Sequence, residues 1–227
     1  MRGTVGVTVA AIMMTGLLAG CGSTAAPSAA AESPSLSPAA TSTVQPTPAS
    51  TPTPTPSPVS TPDTSGMATR IVIGPLKIDL PVVELPAPPG LPYCNVANRW
   101  WDEGVFVAPG LPGATYILAY PRPGMFLPLL QASQVNNGQA LIGMKVEVYT
   151  SADWLFTYSI TAVHRHVVAT NSHVLDGPRA ATGPELWLQT GESPTGSLIL
   201  LVAATLVSAS PASHAVAQPS PKVVACT

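Results

Sequence analysis

Beyond residue 69 the chain alternates short β-branched or aromatic runs with turn residues. The runs are Ile71-Val72-Ile73, Val82-Val83, Thr115-Tyr116-Ile117-Leu118, residues 145–149 (KVEVY), 156–163, Leu186-Trp187-Leu188 and 198–202. Clusters of Gly, Pro, Asn and Asp separate them, which is the punctuation of strands. Residues 145–149 and 156–163 flank Thr150-Ser151-Ala152-Asp153-Trp154, predicting a hairpin. Only residues 124–133 (GMFLPLLQAS) carry a helical pattern, and Pro128 is expected to limit it. Seven or eight short strands with little helix predict a barrel or sandwich. The segment 208–221 reads as a loop wrapping back toward the chain end.

The first 66 residues follow a different pattern. After Arg2 an apolar run extends from residue 5 to 18, too short and too poorly flanked for a membrane span. It has the charged and apolar regions of an export signal. The sequence Leu18-Ala19-Gly20-Cys21 that ends it resembles the bacterial lipobox. That resemblance implies cleavage before Cys21, lipidation of its thiol, and residence on the outer face of the bacterial cytoplasmic membrane. Residues 22–66 are almost only Ala, Pro, Ser and Thr; ten of these 45 are proline, and Glu32 and Asp63 are the only charges. Such a segment cannot bury enough apolar surface to offset the entropy of ordering. Extended at about 3.1 Å per residue, it would span on the order of 100 Å toward the cell wall. The expected organisation is a signal peptide (1–20), a lipidated, disordered linker (21–68) and a β-domain (69–227). The later apolar stretch 198–207 covers only about 15 Å as a helix, too little to cross a bilayer.

Composition narrows the function classes. Nine Lys and Arg against eleven Asp and Glu give a net charge of −2, which argues against a nucleic-acid partner. Three cysteines are too few for a disulfide scaffold or a four-thiolate zinc site. Charged residues are 9% of the chain against roughly 25% in ordinary domains. The signal and linker carry only Arg2, Glu32 and Asp63, yet the remainder is still sparsely charged.

Four segments, in order, resemble the sortase domain, a cysteine transpeptidase fold, in its actinobacterial form. They are residues 70–83 (RIVIGPLKIDLPVV), 109–130 (PGLPGATYILAYPRPGMFLPLL), 143–163 (GMKVEVYTSADWLFTYSITAV) and 185–203 (ELWLQTGESPTGSLILLVA). The resemblance implies a mainly β, closed barrel of seven or eight strands with one short helix. It also implies a chemistry of three groups: a thiolate nucleophile, a histidine that manages the proton, and an arginine facing the oxyanion. The histidine position falls on Pro121, or on Tyr120 by a shifted alignment. The cysteine position, after Leu188-Gln189-Thr190, falls on Gly191. The arginine position falls on Ser197. None of these residues supplies the chemistry, so no catalytic residue is assigned. A remnant groove would be lined by Tyr120, Arg122, Trp187, Gln189 and Thr190.

Cys94 and Cys226 remain besides Cys21. In an oxidising, exported compartment two leftover cysteines most simply pair, closing a loop of about 130 residues worth near 5 kcal/mol by chain entropy; a reactive thiol at Cys94 is the alternative. His164 and His166 would share a strand face, and with His173 or Asp176 could converge on zinc or copper. Ordinary surface histidines are the plainer reading. Trp100-Trp101, beside Asp102 and Glu103, is either a binding platform or core packing. Ser193 is not in a nucleophile elbow, and no dinucleotide or phosphate loop occurs. The resulting expectation is a cofactor-free, membrane-anchored, non-catalytic lipoprotein. It would bind or scaffold a cell-wall peptide or envelope protein. The alternatives are a transpeptidase or hydrolase with an unrecognised nucleophile, and a histidine-based metal-binding lipoprotein.

Overall fold

The computed structural model describes residues 60–86, 92–100 and 105–226. The export signal, Cys21, most of the linker, and Trp101, Asp102 and Glu103 lie outside the described residues. Eight strands close into one barrel: β1 (Ala68–Ile73), β2 (Ile78–Glu84), β3 (Ala97–Trp100), β4 (Gly113–Leu118), β5 (Lys145–Thr150), β6 (Trp154–Val168), β7 (Pro184–Gly191) and β8 (Leu198–Pro211). Their order around the barrel is β1-β2-β3-β4-β7-β8-β6-β5. The pairs β2–β3 and β4–β7 are parallel and the others antiparallel.

Alternation makes the barrel interior. Ile71 and Ile73 of β1, Ile78, Leu80 and Val82 of β2, Val146 and Val148 of β5, and Phe156, Tyr158 and Ile160 of β6 are all buried. Their neighbours on each strand point outward, as a period of two requires. The β1–β2 turn runs through Gly74-Pro75-Leu76 and is closed by Lys77 in the left-handed region (φ 54°). The β5–β6 hairpin turns where the sequence places it, between Thr150 and Trp154. Gly110 also has a positive φ of 87°, and a Cβ there would lie 2.3 Å from the Phe156 ring. A side chain at that position would therefore both strain the turn and collide with the core.

The first half of β8 is different because both of its faces are covered. Leu200, Val202 and Ala204 face the interior, whereas Ile199, Leu201 and Ala203 join Phe106, Tyr116, Leu175 and Trp187 in a second apolar layer outside the barrel. The apolar run is thus a central strand buried on two sides from Ile199 to Ala204, whereas Thr205 and Val207 are exposed. Trp100 belongs to this layer, 5.5 Å from Phe106 and 5.9 Å from Tyr116 between ring centroids. It is a half-buried packing residue, not an exposed platform.

Four sequence expectations need correction. β3 has no apolar run to announce it: its sequence is Ala-Asn-Arg-Trp, and its Asn98 is fully buried. β6 and β8 are longer than predicted because they pair with each other from Trp154↔Pro211 to Val168↔Leu198. The segment after 207 therefore begins as strand, and α3 (His214–Ala217) follows. Helix α1 (Leu127–Gln134) is started rather than limited by Pro128, which sits in its first turn where no N–H is needed. Met125, Phe126, Leu129 and Leu130 at this helix are buried in the main core. A last short helix, α2 (Asp176–Arg179), lies between β6 and β7.

Candidate functional site

Because β4 and β7 are parallel neighbours, the segments that follow them leave the barrel at the same end. Leu118 pairs with Gln189, and the Ala119 N–H donates to the Gln189 carbonyl at 3.1 Å. The chain after β4 is held in a tight turn. The N–H groups of Arg122 and Phe126 both donate to the Tyr120 carbonyl, at 2.9 and 3.1 Å. Between this turn, the end of β7 and the loop before β8 lies a cavity of about 410 Å³, with Pro92 on its border.

Gly191 and Pro121 meet at the cavity. A Cβ on Gly191 would stand 3.7 Å from Pro121 Cγ, ordinary van der Waals contact. Ser197 is not among the lining residues; it is exposed in the loop before β8, in a cluster of three hydroxyls. Its Oγ is 3.1 Å from Ser193 Oγ and 2.9 Å from Thr195 Oγ1, and Ser193 Oγ accepts from the Leu198 N–H. These hydroxyls bond one another and the backbone; no imidazole or carboxylate is among their partners in the described residues. Cys94 and Cys226 are bridged, with Cα atoms 5.1 Å apart at a sequence separation of 132. The bridge is one of four ties holding the tail beside Pro92. Cys94 N–H donates to the Val224 carbonyl, Asn95 Nδ2 to the Lys222 carbonyl, and Val224 N–H to Asn95 Oδ1.

Four of the five sequence-nominated groove residues line the cavity: Tyr120, Arg122, Gln189 and Thr190. Arg122 is exposed, lies 5.3 Å over the Tyr120 ring, and donates from Nη1 to Cys94 Sγ at 2.8 Å. It has no carboxylate partner among the described residues. Gln189 Oε1 accepts from the Tyr116 hydroxyl at 2.5 Å. Burial pushes the Tyr116 phenol well above its ordinary pKa, so it stays a neutral donor. Thr190 is 2% exposed, and its hydroxyl has no hydrogen-bond partner among the described residues. Among the described residues no acidic side chain lines the cavity. The adjacent Glu192 is turned away: its side chain, 4% exposed, pairs with Arg165 Nε at 3.0 Å and accepts from the His166 N–H. Glu192 thereby pins the loop to β6, a role no local sequence pattern announces.

No protein-family model matches the sequence, and no curated protein does. Solved structures do match. The chain superposes on sortase E1 of Streptomyces coelicolor, a structure with a tripeptide in the active site, at a TM-score of 0.50 and 18% identity, over 64% of this chain and 90% of that one. Listeria monocytogenes sortase A matches at 0.49 and 14%, over 66% and 93%. Sortase A of Corynebacterium diphtheriae matches at 0.49 and 14%, over 64% and 62%. The fold is sortase-like.

On the sortase-like barrel the remaining nominated residues go elsewhere. Trp187 does not line the groove. It is two positions before Gln189, and there the turn carrying α2 covers that face of β7, so closely that a Cβ on Gly177 would lie 2.7 Å from the indole. Trp187 stacks on His164 (centroids 5.8 Å apart, planes 7° apart) and donates from Nε1 to Glu185. His164 and His173 border a second, shallower hollow of about 230 Å³ beside Trp187. His173 Nδ1 is 2.7 Å from Asp176 Oδ2. His166 does not join them. The register shifts between His164 and Val167, and His166 takes a φ of 57°, so the bulge points it at Glu192 instead. Among the described residues no three His, Cys, Asp or Glu side chains gather as a metal site.

Proposed function

We propose that this protein is a membrane-anchored lipoprotein whose sortase-like barrel binds an extended envelope peptide without cleaving it. The contact between Gly191 and Pro121 carries the reading. These are the positions where the sortase resemblance expects thiol and imidazole, and neither side chain can hold or move a proton. The arginine position is Ser197, bonded to neighbouring hydroxyls. Cys94 and Cys226 are tied up in their bridge, so neither offers a thiolate. A cavity of about 410 Å³ with apolar walls and a few polar groups remains, a form suited to ligand binding. The Streptomyces coelicolor structure, similar in fold, holds a tripeptide in its active site, which supports a peptide as the class of ligand. The lipobox Leu18-Ala19-Gly20-Cys21 supports anchorage through Cys21, with residues 22–66 as spacer.

Two measurements test this. The full chain in detergent micelles is titrated with short peptides by calorimetry, while the same mixtures are followed by mass spectrometry for cleavage or transfer. Binding without turnover is expected; turnover above the buffer control would overturn the non-catalytic reading. Mass spectrometry of the mature N-terminus should find a lipid-modified Cys21, and Cys21→Ala should move the protein out of the membrane fraction. An unmodified, soluble wild type would remove the anchor.

A further inference from the structure

The cavity beside Gly191 has an unusual balance of polar groups. Arg122 is a cation at its edge with no carboxylate partner among the described residues. Its guanidinium is not loose: the Tyr120 ring lies under it and the Cys94 sulfur accepts one of its N–H groups, leaving the rest of the donor fork free. Thr190, a residue of the cavity wall, carries a buried hydroxyl with no hydrogen-bond partner among the described residues. A polar group so placed costs free energy until something bonds to it. Gln189 has its Oε1 fixed by the Tyr116 phenol, so its Nε2 is the free end, without an acceptor among the described residues. Three residues able to donate thus belong to the wall of a space that no acidic side chain lines among the described residues. The rest of the wall includes Leu118, Pro121, Pro194 and Ile199, which suit an apolar side chain next to the anionic group.

We infer that the groove takes its peptide by a free terminal carboxylate, with Arg122 as counter-ion and Thr190 Oγ1 and Gln189 Nε2 as its hydrogen-bonding partners. This rests on the peptide-binding reading above and specifies which end of the peptide is held. The planar guanidinium fork matches a carboxylate, and charge-assisted hydrogen bonds are about twice as strong as neutral ones. The apolar wall distinguishes a peptide end from a small free anion. Arg122 is a residue distinct from the place where the sortase resemblance expects an arginine, which here is Ser197. The disulfide has a second consequence in this arrangement: by holding Cys94 Sγ against Nη1, it holds the counter-ion in place as well as the tail.

The test uses the full chain in detergent micelles and three probes in calorimetric titration: N-acetyl-Ala-Leu-Ala as the free acid, the same peptide as its terminal amide, and sodium acetate. The acid is expected to bind about tenfold or more tightly than the amide, the loss of one charge-assisted contact. Added salt should weaken the acid and leave the amide nearly unchanged. Arg122→Gln should erase the difference between the two peptides while the amide's own affinity holds. Thr190→Val should weaken the acid independently, by several-fold, which guards against a misfolded Arg122 variant. Equal binding of acid and amide, or a preference that survives Arg122→Gln, would overturn the carboxylate assignment and leave the groove reading standing. Acetate binding as tightly as the peptide acid would overturn the peptide end as ligand. No binding by either peptide would remove both readings.

Discussion

Gly191 stands against Pro121 across the end of the β4–β7 pair, with room for a methyl group at 3.7 Å between them. The glycine is the last residue of β7 and does not have a positive φ, so nothing in its backbone requires glycine. Replacing a glycine by alanine at a compatible site stabilises mainly by restricting the unfolded chain. Gly191→Ala is expected to raise stability by about 0.5 kcal/mol in urea unfolding. Gly191→Cys should fold normally and expose a thiol to maleimide. A loss above about 1 kcal/mol in either variant would mean that the two segments cannot accommodate a side chain, against the geometry.

The Cys94–Cys226 bridge closes a loop spanning 132 positions, long enough for a large effect on the unfolded chain. The double substitution Cys94→Ser with Cys226→Ser is expected to cost about 2 to 5 kcal/mol, because among the described residues the other hydrogen bonds holding tail residues 222–226 are those of the backbone and Asn95. Denaturant unfolding of the two proteins measures it, and intact mass under denaturing conditions should show the wild type two hydrogens lighter than its reduced form. A stability change below about 1 kcal/mol would show that the tail is held without the bridge.

The barrel was legible where one face of a strand is apolar. Ile71 and Ile73, Val146 and Val148, and the Thr150–Trp154 turn announce β1, β5 and the hairpin directly. β3 was not legible, because its place is set by parallel pairing with β2 from Val82↔Ala97 to Glu84↔Arg99. Such pairing leaves no local signal in Ala-Asn-Arg-Trp. The histidine reading failed for a related reason: one bulge between His164 and Val167 breaks the period-two rule on which a shared face depends. In the groove, Tyr120, Arg122, Gln189 and Thr190 could be nominated from the ends of two matched segments. The Arg122–Cys94 contact, between residues 28 positions apart, and the Glu192–Arg165 pair, 27 apart, are products of tertiary folding alone.

Arg70 grips Asp79 with two hydrogen bonds, Nε to Oδ1 at 2.7 Å and Nη2 to Oδ2 at 2.6 Å, across the β1–β2 pair. Hydrogen bonding from Arg70 holds the Asp79 carboxyl below its ordinary pKa, against a smaller opposing effect of burial. A carboxylate depressed in the folded state stabilises above its unfolded pKa, and that contribution fades as pH falls through the folded value. Asp79 is 54% exposed, so solvent screening keeps the effect below about 1 kcal/mol. Asp79→Asn is therefore expected to be slightly less stable than wild type at pH 7, and the two unfolding curves should converge as pH falls below the carboxylate range. A gap that persists or grows in acid would assign the effect to packing.

Thr190 separates what the fold needs from what the groove needs. Its hydroxyl is buried without a partner among the described residues, and its backbone pairs with Leu200 near the end of the β7–β8 ladder. Thr190→Val keeps the shape and removes the unpaired group, so the unliganded protein should gain about 1 kcal/mol in urea unfolding. The same substitution deletes a hydrogen-bonding partner for a bound carboxylate, so affinity for the peptide acid should fall. Stability and binding moving in opposite directions is the signature of a polar group kept for a ligand, since residues selected purely for packing lose both together. If Thr190→Val instead destabilises by 1 kcal/mol or more, the hydroxyl is satisfied within the folded protein. Its part in the groove would then have to be abandoned.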